Sequence, residues 1–177
     1  MNTLEPDHAL AILHFNLPFL QREHETTKKI IAAIPEDKAS YRPDPIAKTA
    51  FDLAAHIAGA EHMFLSGVGS NGFDYSLSKR PESVETIADI RRWCSENFEK
   101  NYERLSKADG ESLARTIDFR GRLQMPSVFF VQLAIAHTAH HRGQLTVYLR
   151  PMGAKVPSIY GESYDAAEAR KSKQQSA

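Results

Sequence analysis

The chain predicts an all-α protein, a four-helix bundle with a short hairpin or irregular insert before the last helix. Three observations carry the prediction. Four stretches place apolar residues at spacings of three and four, the period of one helix face. Prolines and glycines gather between those stretches and punctuate them. The length, 177 residues, is that of one ordinary domain, able to bury a core without staples. No repeat, coiled-coil array or nucleotide-binding glycine loop competes with this reading.

The first helix has its seam at Leu10, Leu13, Leu17, Leu20, His24, Thr27, Ile31 and Ile34. Pro18 lies inside it, where a lost backbone hydrogen bond predicts a kink between His14 and Pro18 and not a second helix. Pro35 stops it, because the residue before a proline is pushed out of the helical region. Pro43 and Pro45 around Asp44 make residues 40–47 an extended connection. Thr49-Ala50-Phe51-Asp52 has capping-box form and opens a second helix with the stripe Leu53, Ile57, Ala60, Phe64 and Gly67. His56 falls on the same face. Gly67, Gly69 and Gly72 with Asn71 end it, leaving residues 66–81 as a loop.

A third helix is expected from near Ser83, with Ile87, Ile90, Cys94, Phe98 and Leu105 on one side and a charged outer face. After Asp109-Gly110, the segments 116–119 and 123–125 flank Arg120-Gly121 as a small hairpin or irregular loop. Pro126 suits the first turn of the last helix, which runs to about Arg150 and stops before Pro151 and Gly153. Residues 156–160 are expected to pack back on the bundle in extended form. The polar, charged end predicts a division into a bundle of residues 1–164 and a disordered tail of residues 165–177.

Lys plus Arg and Asp plus Glu both number 22, so no global field draws in nucleic acid or an anionic membrane surface. The single cysteine, Cys94, excludes an internal disulfide and is compatible with a reducing compartment. Residues 1–7 lack a signal-peptide pattern, and no stretch approaches the roughly 20 apolar residues of a membrane span. The expectation is a soluble cytoplasmic protein whose partner is a small molecule, with neither nucleic acid nor membrane involved.

Chemistry is concentrated in Ala136-His137-Thr138-Ala139-His140-His141-Arg142-Gly143-Gln144. His137 and His141 sit one helical turn and about 40° apart, so both imidazoles can approach one ion. They share a face with Phe130, Leu133, Ala134, Gln144 and Tyr148, where burying a polar ring costs a few kcal/mol without a partner. For the pair alone, a metal and an ordinary hydrogen-bond partner are equally open. His56 shifts the balance: three inward imidazoles from two helices form a three-nitrogen site with an open position. Zn²⁺, Ni²⁺ or a similar ion suits it, and would lower the pKa of a water or thiol brought there.

The remaining candidates read more blandly. His140 is also one turn from His137 but about 60° to its other side, so geometry favours His141 only weakly. His62, about 120° around its helix from His56, belongs to the surface or rim. His24 reads as a satisfied core histidine, with an outer-shell role as the alternative, and His8 and His14 have no partner pattern. Gly143 costs about 1 kcal/mol relative to alanine, which close approach of a helix or ligand would justify. Gln144 is placed to orient a ligating imidazole or to cap a carbonyl. Arg142 points away from the histidines, as a solvated or subunit-contact residue or an anion-binding one at the rim. Cys94 has no activating neighbour and reads as a small buried hydrophobe, with Trp93 and Tyr102 as packing residues.

Tyr41-Arg42-Pro43-Asp44-Pro45, Leu53-Ala54-Ala55-His56, the His137-x-x-x-His141-Arg142-Gly143-Gln144 motif and Met152-Gly153-x-x-Val156-Pro157, in this order, resemble the DinB-like (DinB/YfiT-like) metalloenzyme family up to about Tyr164. The resemblance implies an up-down-down-up four-helix bundle, often a homodimer, with a metal bound by one histidine of the second helix and two of the last. Carried over, these are His56, His137 and His141. It also implies that the metal activates the sulfur of a low-molecular-weight thiol such as bacillithiol or mycothiol in transferases and isomerases. The resulting expectation is a metal-dependent thiol S-transferase using Zn²⁺, Ni²⁺, Mn²⁺ or Fe²⁺, with Gln144 supporting the ligand shell. A non-catalytic, stress-associated metal binder and a purely structural dimerising bundle are the alternatives.

Overall fold

The protein's architecture is given by a computed structural model that describes residues 4–70 and 72–175. In chain order the elements are α1 (Pro6–Ala32), α2 (Ala50–Gly67), α3 (Ile87–Ser106), the short α4 (Gly110–Ala114), a hairpin of β1 (Thr116–Phe119) and β2 (Leu123–Pro126), α5 (Phe129–Leu149) and α6 (Tyr164–Gln175). Asn71, part of the expected helix stop, lies outside the described residues, as do residues 1–3 and the last two of the tail.

α1 continues through Pro18 as one element of 27 residues. Thr49 caps α2 by accepting from the Asp52 amide at 3.0 Å. α3 starts at Ile87, later than Ser83, because Thr86 and Asp89 form the capping box that satisfies its first amides. α2 is flanked by α3 and α5, and α1 packs against the same two helices from the opposite side. Small residues (Ala54, Ala55, Ala58, Ala60) give α2 little bulk on any face, and all four are buried. At Gly59 the chain needs that economy: a Cβ there would lie 2.3 Å from the Ser78 carbonyl oxygen. The 3-10 turn Tyr75–Ser78 can therefore seat directly on α2.

Two apolar clusters fill the bundle. One joins Leu13, Leu17, Phe64, Phe98, Phe130 and Ala134; the other joins Ile30, Ile57, Ile90, Cys94, Leu145 and Leu149. α1 and α5 run from the first cluster to the second, and α2 and α3 run back. Each buried Leu, Ile or Phe stabilises the fold by about 1.5–3 kcal/mol. Between the clusters, buried Glu23, His24 and Thr27 of α1, Glu61 of α2, and Thr138 and Arg142 of α5 form a polar stratum. The candidate site lies at this level.

The expected hairpin forms, with Phe119 opposite Leu123 and Thr116 opposite Pro126. Arg120 and Gly121 take positive φ at its tip, and the Gly121 amide donates to Asp118 at 2.7 Å. Pro126 thus ends a strand and does not begin the last helix. The Ser127 and Val128 amides donate to the Arg115 and Leu113 carbonyls, and Val128, already in helical conformation, turns the chain into α5.

The expected disordered tail is corrected: residues 164–175 are helical. Alanine, lysine, arginine and glutamine are good helix formers, and Glu168 pairs with Lys171 at 2.8 Å one turn on. Asp165 ties the helix back by accepting from the Val156 amide at 2.8 Å and Arg150 at 3.0 Å. Val156 and Ile159 pack against the second cluster, so the 156–160 segment returns to the bundle. No helix among the described residues is long and apolar enough to cross a membrane.

Candidate metal centre

α2 and α5 pack side by side, and this contact brings His56 against His137 and His141. Each ring offers a nitrogen lying within 4.8 Å of the other two. The His56 and His141 Nε2 atoms are 3.2 Å apart. The His137 ring lies 4.4 Å from that of His141 and 5.2 Å from that of His56, centroid to centroid. Phe64 packs edge-on against His137 at 5.5 Å and walls that side.

Hydrogen bonds orient the outermost imidazole. His141 Nδ1 is 2.8 Å from Gln144 Oε1, so Nδ1–H donates and Nε2 is turned toward His56. The Gln144 amide nitrogen is in turn 3.3 Å from His140 Nε2. His137 Nδ1, by contrast, is buried and has no hydrogen-bond partner among the described residues. Burial and then the His141 and His56 rings hold the His137 pKa down to about 4, and burial and His141 lower that of His56. Both rings are therefore neutral at physiological pH, the form that binds metals.

This arrangement fits a metal. Two nitrogens at about 2.0–2.1 Å from a tetrahedral ion are about 3.3–3.4 Å apart. The 3.2 Å separation of the His56 and His141 Nε2 atoms is close to that value. A single proton shared between these two atoms would satisfy that contact but leave His137 Nδ1 orphaned, which a buried polar atom seldom is.

A second group escaped the sequence reading. His24 Nδ1 is 2.8 Å from Glu61 Oε2, and the Cys94 thiol donates to the same oxygen at 3.7 Å. All three residues are buried and within metal-ligating reach of one another. His24 stacks on Phe98 with centroids 3.7 Å apart. Burial and Glu61 raise the Cys94 thiol well above its ordinary pKa, so it is no nucleophile. His24 is thus the satisfied core histidine and Cys94 the buried residue that their seams predict; the member not singled out is Glu61, an acidic residue one turn from Ile57 in the apolar stripe of α2.

His62 stands apart, half-buried, its Nδ1 2.9 Å from the Asn101 amide of α3. His140 is exposed and reaches the centre only through Gln144. Arg142 is neither solvated nor at a rim: it is 1 % exposed and pairs with Glu23 at 2.5 Å. The face of α5 turned from the histidines meets α1, so Arg142 finds the Glu23 carbonyl at 3.0 Å, Thr27 at 3.2 Å and the Tyr160 hydroxyl at 2.6 Å. The helix contact expected as one reason for Gly143 does not form, since a Cβ there would meet nothing within 4 Å among the described residues.

Fold and site together define a helical bundle whose mid-level carries a converging three-imidazole group. The chain belongs to the DinB family, which matches residues 13–175. It is 30% identical to YjoA of Bacillus subtilis over 129 residues, covering 72% of this chain and 82% of YjoA. It is 37% identical to YrdA of Bacillus subtilis over 81 residues, 46% of this chain and 47% of YrdA. The crystal structure of the DinB-like YjoA superposes with a TM-score of 0.68 at 26% identity, covering 81% of this chain and 96% of that one. A DinB-like protein from Bacillus cereus matches at TM-score 0.68 and 29% identity, covering 81% and 95%.

Proposed function

We propose that this protein binds one divalent ion through His56, His137 and His141 and uses it to transfer a group to or from the sulfur of a low-molecular-weight thiol. The carrying observation is the convergence of three imidazole nitrogens within 4.8 Å while His137 Nδ1 has no hydrogen-bond partner among the described residues. A divalent ion held there supplies Lewis acidity, which lowers the pKa of a thiol or water brought to it. The chain's own residues do the positioning. Gln144 fixes the His141 tautomer with Nε2 inward. Phe64 keeps water from one side of His137. The neutral state of His56 and His137 leaves their lone pairs free for the ion.

The test has two stages. Untagged protein reconstituted with Zn²⁺, Ni²⁺, Mn²⁺ or Fe²⁺ is first assayed for retained metal, and absence of retention with all four ions sinks the proposal. The loaded protein is then incubated with a panel of cellular thiols and electrophiles, and conjugates are quantified. Metal-dependent conjugation supports the transferase. Retained metal without turnover across the panel favours a binding protein.

A further inference from the structure

Beside the imidazole group, the chain leading into α2 and the exposed side of α5 enclose a cavity of about 530 Å³. That volume lies within the range of small-molecule sites, about 300–1,000 Å³. Leu53 and Val147 supply apolar wall, and Lys48, His141, Gln144 and Tyr148 supply polar groups. His141 and Gln144 also belong to the candidate metal centre, so a ligand in the cavity reaches that centre at its inner end.

The cavity wall carries one cation, Lys48, and one carboxylate, Asp44. Lys48 is exposed and makes no ion pair or hydrogen bond among the described residues. Asp44, the acidic group on the same wall, turns its Oδ1 to the Ile46 and Ala47 amides, each at 3.0 Å, so Lys48 is the wall's free hydrogen-bond donor of positive charge. Lys48 and His141 line the same cavity. Burial, then Asp44, raises the Tyr148 phenol above its ordinary pKa, so that group is present as a donor and not as a second anion.

We infer that this cavity takes a small molecule bearing a carboxylate, held by the Lys48 ammonium at the outer end, with its metal-seeking atom directed toward His141. An ammonium–carboxylate contact in a half-enclosed site is a charge-assisted hydrogen bond, and tenfold in affinity corresponds to about 1.4 kcal/mol. This rests on the proposed function for the ion at the inner end. The assignment of Lys48 to the anionic group rests on the cavity.

Isothermal titration of the zinc-loaded protein with mercaptoacetate, 2-mercaptoethanol and cysteamine tests it. Mercaptoacetate is expected to bind about tenfold more tightly than 2-mercaptoethanol, and cysteamine more weakly than either. The mercaptoacetate preference should fall to within about twofold of unity in Lys48→Gln and persist in Lys48→Arg. Equal affinities in the native chain, or a preference unchanged in Lys48→Gln, overturn the inference. Absence of binding by all three thiols sinks the thiol reading instead. The anion assignment is then read from imidazole-4-acetate against 4-methylimidazole on the same protein, where no preference for the acetate overturns it.

Discussion

His24 and His137 are both imidazoles drawn into the stratum between the two apolar clusters, one on α1 and the other on α5. His24 bonds Glu61 at 2.8 Å and stacks on Phe98, and Cys94 donates to the same carboxylate. His137 has two further imidazoles for neighbours and an Nδ1 without a partner. The first group offsets its desolvation internally, with a donor and an acceptor matched across three helices. The second brings three like groups together, and three imidazoles cannot all satisfy one another. Polar residues that complete their own hydrogen bonds hold a fold together, whereas those that converge without doing so leave capacity that a ligand can fill.

The largest expected effect separates the two groups by metal content. His56→Ala, His137→Ala and His141→Ala should each lose the single equivalent of metal, about one ion per chain, in elemental analysis, and Cys94→Ala should keep it. Retention by the histidine variants would break the comparison. Gln144→Ala sharpens it: freeing His141 Nδ1 should weaken metal binding about 10–100-fold in a chelator competition, with little change in stability. Glu61→Ala should do the reverse, costing about 1–3 kcal/mol in urea unfolding by stranding His24, with metal stoichiometry intact.

The smallest effect is one of pH. The native thiol of Cys94 is held protonated above its ordinary value of 9.0, whereas the unfolded thiol ionises there. The folded state then binds the extra proton, so this contribution to stability is complete below pH 9 and declines as pH rises beyond it. Urea unfolding at pH 8 and pH 10 should show native protein losing stability relative to Cys94→Ala, by at most about 1.4 kcal/mol per pH unit. A Cys94→Ala difference independent of pH would mean that the closed group does not hold the proton.

Sequence periodicity was enough to place the four long helices and the imidazole group, because one-turn spacing puts His137 and His141 together whatever surrounds them, and His56 lies on a strongly patterned face. Arg142 was misread for the complementary reason. Spacing tells which way a side chain leaves its helix, not whether another helix waits there, and α1 supplies Glu23 to meet it. The same blindness applies to Glu61, which joins the core residues His24 and Cys94 into one group whose three members come from three helices with no local motif. The tail was judged by polarity, which conceals a helix stabilised by propensity and by Asp165 reaching back to Val156. Pro126 fits a helix start in isolation, and only backbone pairing with α1's neighbour α4 and with β1 makes it a strand end.

Cobalt substitution tests the central claim most directly, because thiolate and imidazole ligands give Co²⁺ different spectra. Protein loaded with Co²⁺ in thiol-free buffer should show visible ligand-field bands that vanish in His137→Ala, with no thiolate-to-metal charge-transfer band in the near ultraviolet. A charge-transfer band that disappears in Cys94→Ala would place the ion in the closed group and contradict the account.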